Sequence, residues 1–188
     1  MMKNSEGTDK MKEIAQHVRE GAMAYLTRQY KVVGIVFVII FVLLIVLAYF
    51  KIQNPFVPVA FLIGGFFSAF SGFLGMKTAT FASARTTQGA SESLNKGLKI
   101  AFRSGAVMGL LVVGFGLLYI SLSYIILDKL IYTAVNMDKG LYFLGLTLVE
   151  SGTGAEFKLS QITATMLTFG MGASTHSFFD RVGGGIYT

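Results

Sequence analysis

Charged residues vanish from four long stretches of this chain and return in clusters between them. Val32–Phe50, Phe56–Met76, Ser104–Leu127 and Leu159–Phe179 contain no Asp, Glu, Lys or Arg. A helix needs about 20 residues to cross roughly 30 Å of hydrocarbon, so the pattern predicts transmembrane helices over 32–50, 56–76, 104–127 and 159–179. Ahead of the first, Met11, Ile14, Ala15, Val18, Ala22, Tyr25 and Leu26 recur at the spacing of one helix face. Residues 1–31 therefore read as an amphipathic helix leading into the first span, with Thr8 as N-cap and Asp9 in its first turn. The fold class is all-α, a polytopic transmembrane helix bundle. Residues 77–103 read as a cytoplasmic loop. Residues 128–158 read as an external loop with a surface-lying piece, because the apolar run Leu141–Val149 is too short to cross.

Two spans carry rows of small residues. The second has Gly64, Ser68 and Gly72 on one row and Ser71, Gly75, Ala79 and Ser83 on another, and the third has Gly105, Gly109, Gly114 and Gly116. Small side chains let membrane helices approach closely where lipid offers no hydrophobic contrast. The fourth span differs in its polarity, with Gln161, Thr163, Thr165, Thr168, Ser174, Thr175, His176 and Ser177. Polar groups in hydrocarbon are costly unless satisfied, so this helix is expected to face protein or a wet cavity and to line a pathway.

Composition narrows the function classes. The chain of 188 residues is 53% hydrophobic and 14% charged, against about 25% charged in soluble domains. Cysteine is absent, which excludes thiolate nucleophiles and Cys-type metal sites. The net charge of +6 does not point to nucleic acid, since no basic run is interleaved with aromatics and basic residues in such a chain report topology. Lys3, Lys10, Lys12, Arg19, Arg28, Lys31, Lys77, Arg85, Lys96, Lys99 and Arg103 fall on one side of the four crossings, against Lys51, Lys129, Lys139 and Lys158 on the other. Both chain ends are accordingly expected to be cytoplasmic, in a multi-pass membrane protein.

The remaining chemistry is sparse. "GGGIYT" lacks the Gly-Lys-Ser/Thr ending of a phosphate-binding loop. The only histidines, His17 and His176, lie in different elements, which gives a histidine-based metal site no support. His17 reads as interfacial and His176 as hydrogen-bonded among Ser and Thr. At the cytoplasmic end of the fourth span stand Asp180 and Arg181, which do not face each other on a helix. From the residues alone, Arg181 is either a cation reaching the interface at a helix end or one paired with a group from another helix.

Four stretches in order resemble the membrane-bound inorganic pyrophosphatases that pump H⁺ or Na⁺. They are "EGTDKMKEIAQHVREGAMAYLTRQYK", "SGFLGMKTATFASARTT", "AFRSGAVMG" and "FDRVGGGIYT". The resemblance covers nearly the whole chain and is weakest over 128–158. It implies a fold of about sixteen spans, of which four are here, with an earlier span and many later ones outside this chain. It implies that Arg181 is the ion-gate arginine, and that Gly183, Gly184 and Gly185 let the backbone turn closely into the substrate cavity. It further implies inorganic pyrophosphate as substrate, Mg²⁺ as cofactor with its ligands beyond Thr188, K⁺ as an optional activator, and a homodimer of the full-length protein. Residues 180–188 are then the start of the cytoplasmic gate motif, with no catalytic residue and no metal ligand in this chain and no hydrolysis by it alone.

Two other classes compete. A small four-helix membrane transporter needs an ionisable residue inside a span, and none of the four spans has an Asp, Glu, Lys or Arg. A non-enzymatic membrane scaffold needs no chemistry at all.

Overall fold

The structure, a computed structural model, describes residues 4–143, 146–149, 152 and 154–187. Its elements are α1 (Asp9–Tyr49), α2 (Val57–Glu92), α3 (Leu94–Ile126), a π-helical turn (Leu127–Ile131), α4 (Ala134–Lys139), β1 (Leu141–Phe143), β2 (Leu146–Val149) and α5 (Ala155–Tyr187). The first three helices are long and apolar enough to cross a membrane. Helix α5, which contains the fourth expected span, has 33 residues and is more polar.

The amphipathic segment and the first span form one helix, α1. Thr8 Oγ1 accepts a long bond, 3.4 Å, from Met11 N–H, and Lys12 Nζ lies 2.9 Å from Asp9 Oδ1. At the far end Lys51 adopts φ +58°. There Lys51 N–H donates to Ala48 O and Ile52 N–H to Leu47 O, which closes the helix with paired reversed bonds around a left-handed residue.

The expected loop over 77–103 is instead helix on both sides of Ser93. Helix α2 runs on to Glu92 and α3 begins at Leu94. Ser93 Oγ accepts from Lys96 N–H at 3.2 Å, which caps α3. The physical reason a one-residue turn suffices is the small residues beside it: Gly97 lies against Ala90, and Gly89 against Gly97. The segment 128–158, expected to be an external loop, also holds regular elements among the described residues. Beside α4 it holds an antiparallel pair, with Leu141 opposite Val149, Tyr142 opposite Thr147 and Phe143 opposite Leu146. A small hairpin thus joins the otherwise helical fold.

The described chain forms two compact units, one from Met1–Lys31 and Ala69–Gly114, the other from Val32–Ser68 and Phe115–Thr188. In the first, Glu6 receives both Arg19 and Arg85, and Arg85 Nε also donates to Asn4 O at 3.1 Å. Arg19 lies over the Phe81 ring, 4.3 Å from its centroid. In the second, Val33, Phe37 and Phe61 make one core, with the Phe37 and Phe61 rings stacked at 4.8 Å. Leu127, Tyr132, Val149 and Ile162 make another. Such ring pairs are worth about 0.5–1.5 kcal/mol beyond their buried area.

Candidate functional site: the two faces of helix α5

Helix α5 carries the residues that the sequence singles out for chemistry, and its two faces differ. One is packed. Ile162, Thr165, Thr168, Phe169 and His176 are buried, and Phe169 stacks on Tyr119 with centroids 3.7 Å apart. Gly64 of α2 lies against the Phe169 carbonyl while Gly172 of α5 lies against the Phe61 carbonyl. Ser68 Oγ donates to Ala173 O at 3.2 Å. Two helices thus touch backbone to backbone through exchanged glycines, as small residues in membrane helices allow.

The row Gly64, Ser68 therefore does what its spacing predicts, and Gly75 does so against Met108. The α3 glycines do not. Gly105, Gly109, Gly114 and Gly116 meet nothing within 4 Å, so in this structure the third span's small residues serve no close contact.

Much of α5's polarity is satisfied inside the helix. Thr165, Thr168 and Thr175 donate their hydroxyls to the carbonyls of Gln161, Ala164 and Met171 at 2.9, 2.7 and 2.8 Å. His176, expected to hydrogen-bond among Ser and Thr, has a carboxylate beside it. Its Nδ1 lies 3.1 Å from Asp180 Oδ2, one turn on, and its ring meets the edge of Phe37 at 6.1 Å. Residues four apart share a helix face, so the pair was available in the sequence. A buried imidazole needs such a partner.

The other face is open. Leu167, Gly170, Met171, Ser174, Thr175 and Phe178 form a shallow, open surface along it. Arg181, three residues beyond Phe178 and so on the same side of the helix, is exposed. Gly183, Gly184 and Gly185 continue as helix to Tyr187, with no turn within the described residues. Helical glycine costs about 1 kcal/mol relative to alanine, so this last stretch is a weak helix by composition.

A polar hub at the opposite end of α5 was missed by the sequence reading. Buried Asn54 accepts from Phe56 N–H at 2.9 Å, and its amide faces Gln161 O and Thr165 Oγ1 at 3.2 Å and Tyr132 Oη at 3.4 Å. Burial pushes the Tyr132 hydroxyl up, with the Asn54 bond opposing. The Asn54-Pro55 dipeptide, a turn signal, is what could have marked it. Nearby, Lys158 Nζ pairs with Asp128 Oδ1 at 2.7 Å and holds that carboxyl below its usual range.

Comparison with known proteins bears on this helix and on the rest of the chain. The family model described as inorganic H⁺ pyrophosphatase matches residues 1–188. The chain belongs to that family. A protein of Bacteroides thetaiotaomicron provisionally named a K(+)-stimulated pyrophosphate-energized sodium pump is 57% identical over this whole chain, which spans 23% of that relative. The K(+)-stimulated pyrophosphate-energized sodium pump of Thermotoga maritima is 34% identical, with 24% of it covered. The K(+)-insensitive pyrophosphate-energized proton pump 2 of Moorella thermoacetica is 36% identical, with 23% covered. The chain therefore spans about a quarter of the length of these relatives. As a pyrophosphatase-family chain with three strongly apolar helices, it is a membrane protein.

Proposed function

We propose that this chain supplies four N-proximal helices of an ion-translocating membrane pyrophosphatase, which couples hydrolysis of inorganic pyrophosphate to transport of H⁺ or Na⁺. The observation that carries the reading is the position of Arg181, exposed on the open side of α5 while His176 and Asp180 occupy its packed side. In this reading the open face of α5 borders the ion path and Arg181 acts at its gate, paired with groups outside this chain. Gly183, Gly184 and Gly185 present side-chain-free backbone towards the substrate cavity. Both ends of the chain are cytoplasmic, and the intact protein is a homodimer.

The Mg²⁺ that pyrophosphate hydrolysis implies has no set of three carboxylate or imidazole ligands among the described residues. Its ligands belong, in this proposal, to parts of the intact protein beyond this chain. Relatives that are K⁺-stimulated and K⁺-insensitive both match, so K⁺ is proposed only as an activator.

The test is made on the intact protein in sealed vesicles, with pyrophosphate hydrolysis and ion uptake measured together. Arg181→Ala is expected to lower ion uptake per pyrophosphate hydrolysed by about tenfold or more, equivalent to about 1.4 kcal/mol. An unchanged ratio would remove Arg181 from the gate. Absence of pyrophosphate-dependent uptake in the unsubstituted protein would sink the pump reading itself.

A further inference from the structure

The whole net charge of the chain resides in one of its two units. Met1–Lys31 and Ala69–Gly114 hold eleven basic and five acidic residues, and the remainder holds five of each. Part of that charge is already engaged. Arg19 and Arg85 share Glu6, Lys12 pairs with Asp9 and Lys96 with Glu92. Arg28, Lys31, Lys77 and Arg103 are exposed, and among the described residues none of them forms an ion pair.

These four cations share a level. Tyr30 Oη donates to Ala69 O at 2.7 Å, Arg19 lies over Phe81, and Met108 lies at Gly75. With 1.5 Å per helical residue, those registers bring Arg28 of α1, Lys77 of α2 and Arg103 of α3 within about 15 Å of one another along the helix axes. The level is the polar boundary of the apolar spans: Lys31 precedes Val32, Lys77 follows Met76 and Arg103 precedes Ser104. Exposed Val32, Phe102 and Val107 lie beside them. The Lys77 ammonium leans back over Phe73, 5.9 Å from the ring centroid and one turn nearer the span.

We propose that Arg28, Lys31, Lys77 and Arg103 form a belt that binds the headgroups of anionic phospholipids. Phosphate oxygens accept from guanidinium and ammonium groups, and the aliphatic stems of Arg and Lys lie along apolar surface while their heads reach water. A small free anion needs donors that converge on one point. This belt spreads its donors over three helices beside exposed apolar side chains, which matches a headgroup with its acyl chains. Each basic residue near an anionic membrane surface contributes about 1 kcal/mol, or up to about fivefold in relative affinity.

The experiment uses the intact protein in phosphatidylcholine vesicles and compares spin-labelled phosphatidylglycerol with spin-labelled phosphatidylcholine at the protein boundary. The unsubstituted protein is expected to prefer phosphatidylglycerol by about threefold or more. R28Q/K77Q/R103Q is expected to abolish that preference, Lys77→Gln alone to reduce it, and Lys129→Gln with Lys139→Gln in the other unit to leave it intact. No preference in the unsubstituted protein, full preference in the triple variant, or equal loss in the Lys129 and Lys139 variant would overturn the proposal. Displacement of phosphatidylglycerol by millimolar inorganic phosphate at constant ionic strength would also overturn it and assign a free-anion site.

Discussion

The carbonyl oxygen of Phe169 in α5 occupies the space that a side chain on Gly64 of α2 would fill. The relationship is returned one turn along, where Gly172 of α5 faces the carbonyl of Phe61. Neither helix can accept a methyl group there unless the two backbones part. Gly64→Ala is therefore expected to destabilise the intact protein by about 1–3 kcal/mol, seen as a lower thermal midpoint in detergent. Gly109→Ala on α3, which meets nothing among the described residues, serves as the contrast and is expected to cost less, since alanine favours helix over glycine. No loss from Gly64→Ala would disprove the close contact of α2 with α5.

Asn54 ties the start of α2 to α5 and to Tyr132 through one side chain. Asn54→Ala leaves buried acceptors without their donor, at a cost of about 1–3 kcal/mol. Thr165→Val removes one acceptor and is expected to cost less. A double-mutant cycle by thermal unfolding is expected to show non-additive losses, because the residues share a bond; additive losses would mean that the bond is not formed.

The Asp128–Lys158 pair makes a pH prediction of fixed sign. Lys158 lowers the Asp128 carboxyl in the folded protein, so the unfolded chain binds that proton more readily. The pair's stabilisation is then fully present above the unfolded carboxylate value of about 3.9 and is lost as pH falls through the lower folded value. Thermal midpoints of the unsubstituted protein and Lys158→Gln are expected to differ by a constant amount from about pH 5 to 7 and to converge below about pH 4. A gap that widens on acidification would contradict the pairing.

His176 is buried, and Asp180 is the partner that its Nδ1 faces. Asp180→Ala is expected to lower stability by about 1 kcal/mol, whereas Asp180→Asn, which keeps an acceptor oxygen, loses less. The order of the two thermal midpoints is the readout. Asn falling as far as Ala would mean that charge rather than the bond is what matters.

Helices were legible wherever one physical requirement dominated. Freedom from charge over about 20 residues left little alternative at Val32–Phe50 or Ser104–Leu127, and Thr8 and Asp9 marked the start of α1 because a capping oxygen and an acidic first turn act locally. What the sequence hid was set by partners distant along the chain. Lys77–Arg103 looked like a loop because charge returned there, yet charge ends a span without ending a helix. Glu6 gave no sign that it would receive both Arg19 and Arg85, which are 66 positions apart in the numbering. Glycine rows showed where backbones are able to meet and not whether they do, so Gly64 and Gly109 read alike. At α5, polarity was read as a face turned to protein or a wet cavity, while three threonine hydroxyls turned back on their own helix. The gate role proposed for Arg181 comes only from the resemblance, since nothing local separates a gate residue from a cation at a helix end.

The Ser93 turn sets a constraint of another kind. With one residue between α2 and α3 there is no slack to absorb a change in length. An extra residue at that point would advance α3 by about 100° around its axis. The face now presenting Phe102 outward would then turn away by more than a quarter of the circumference, and the cations at its boundary would turn with it. The length of this connection must therefore be held constant, whatever residues compose it.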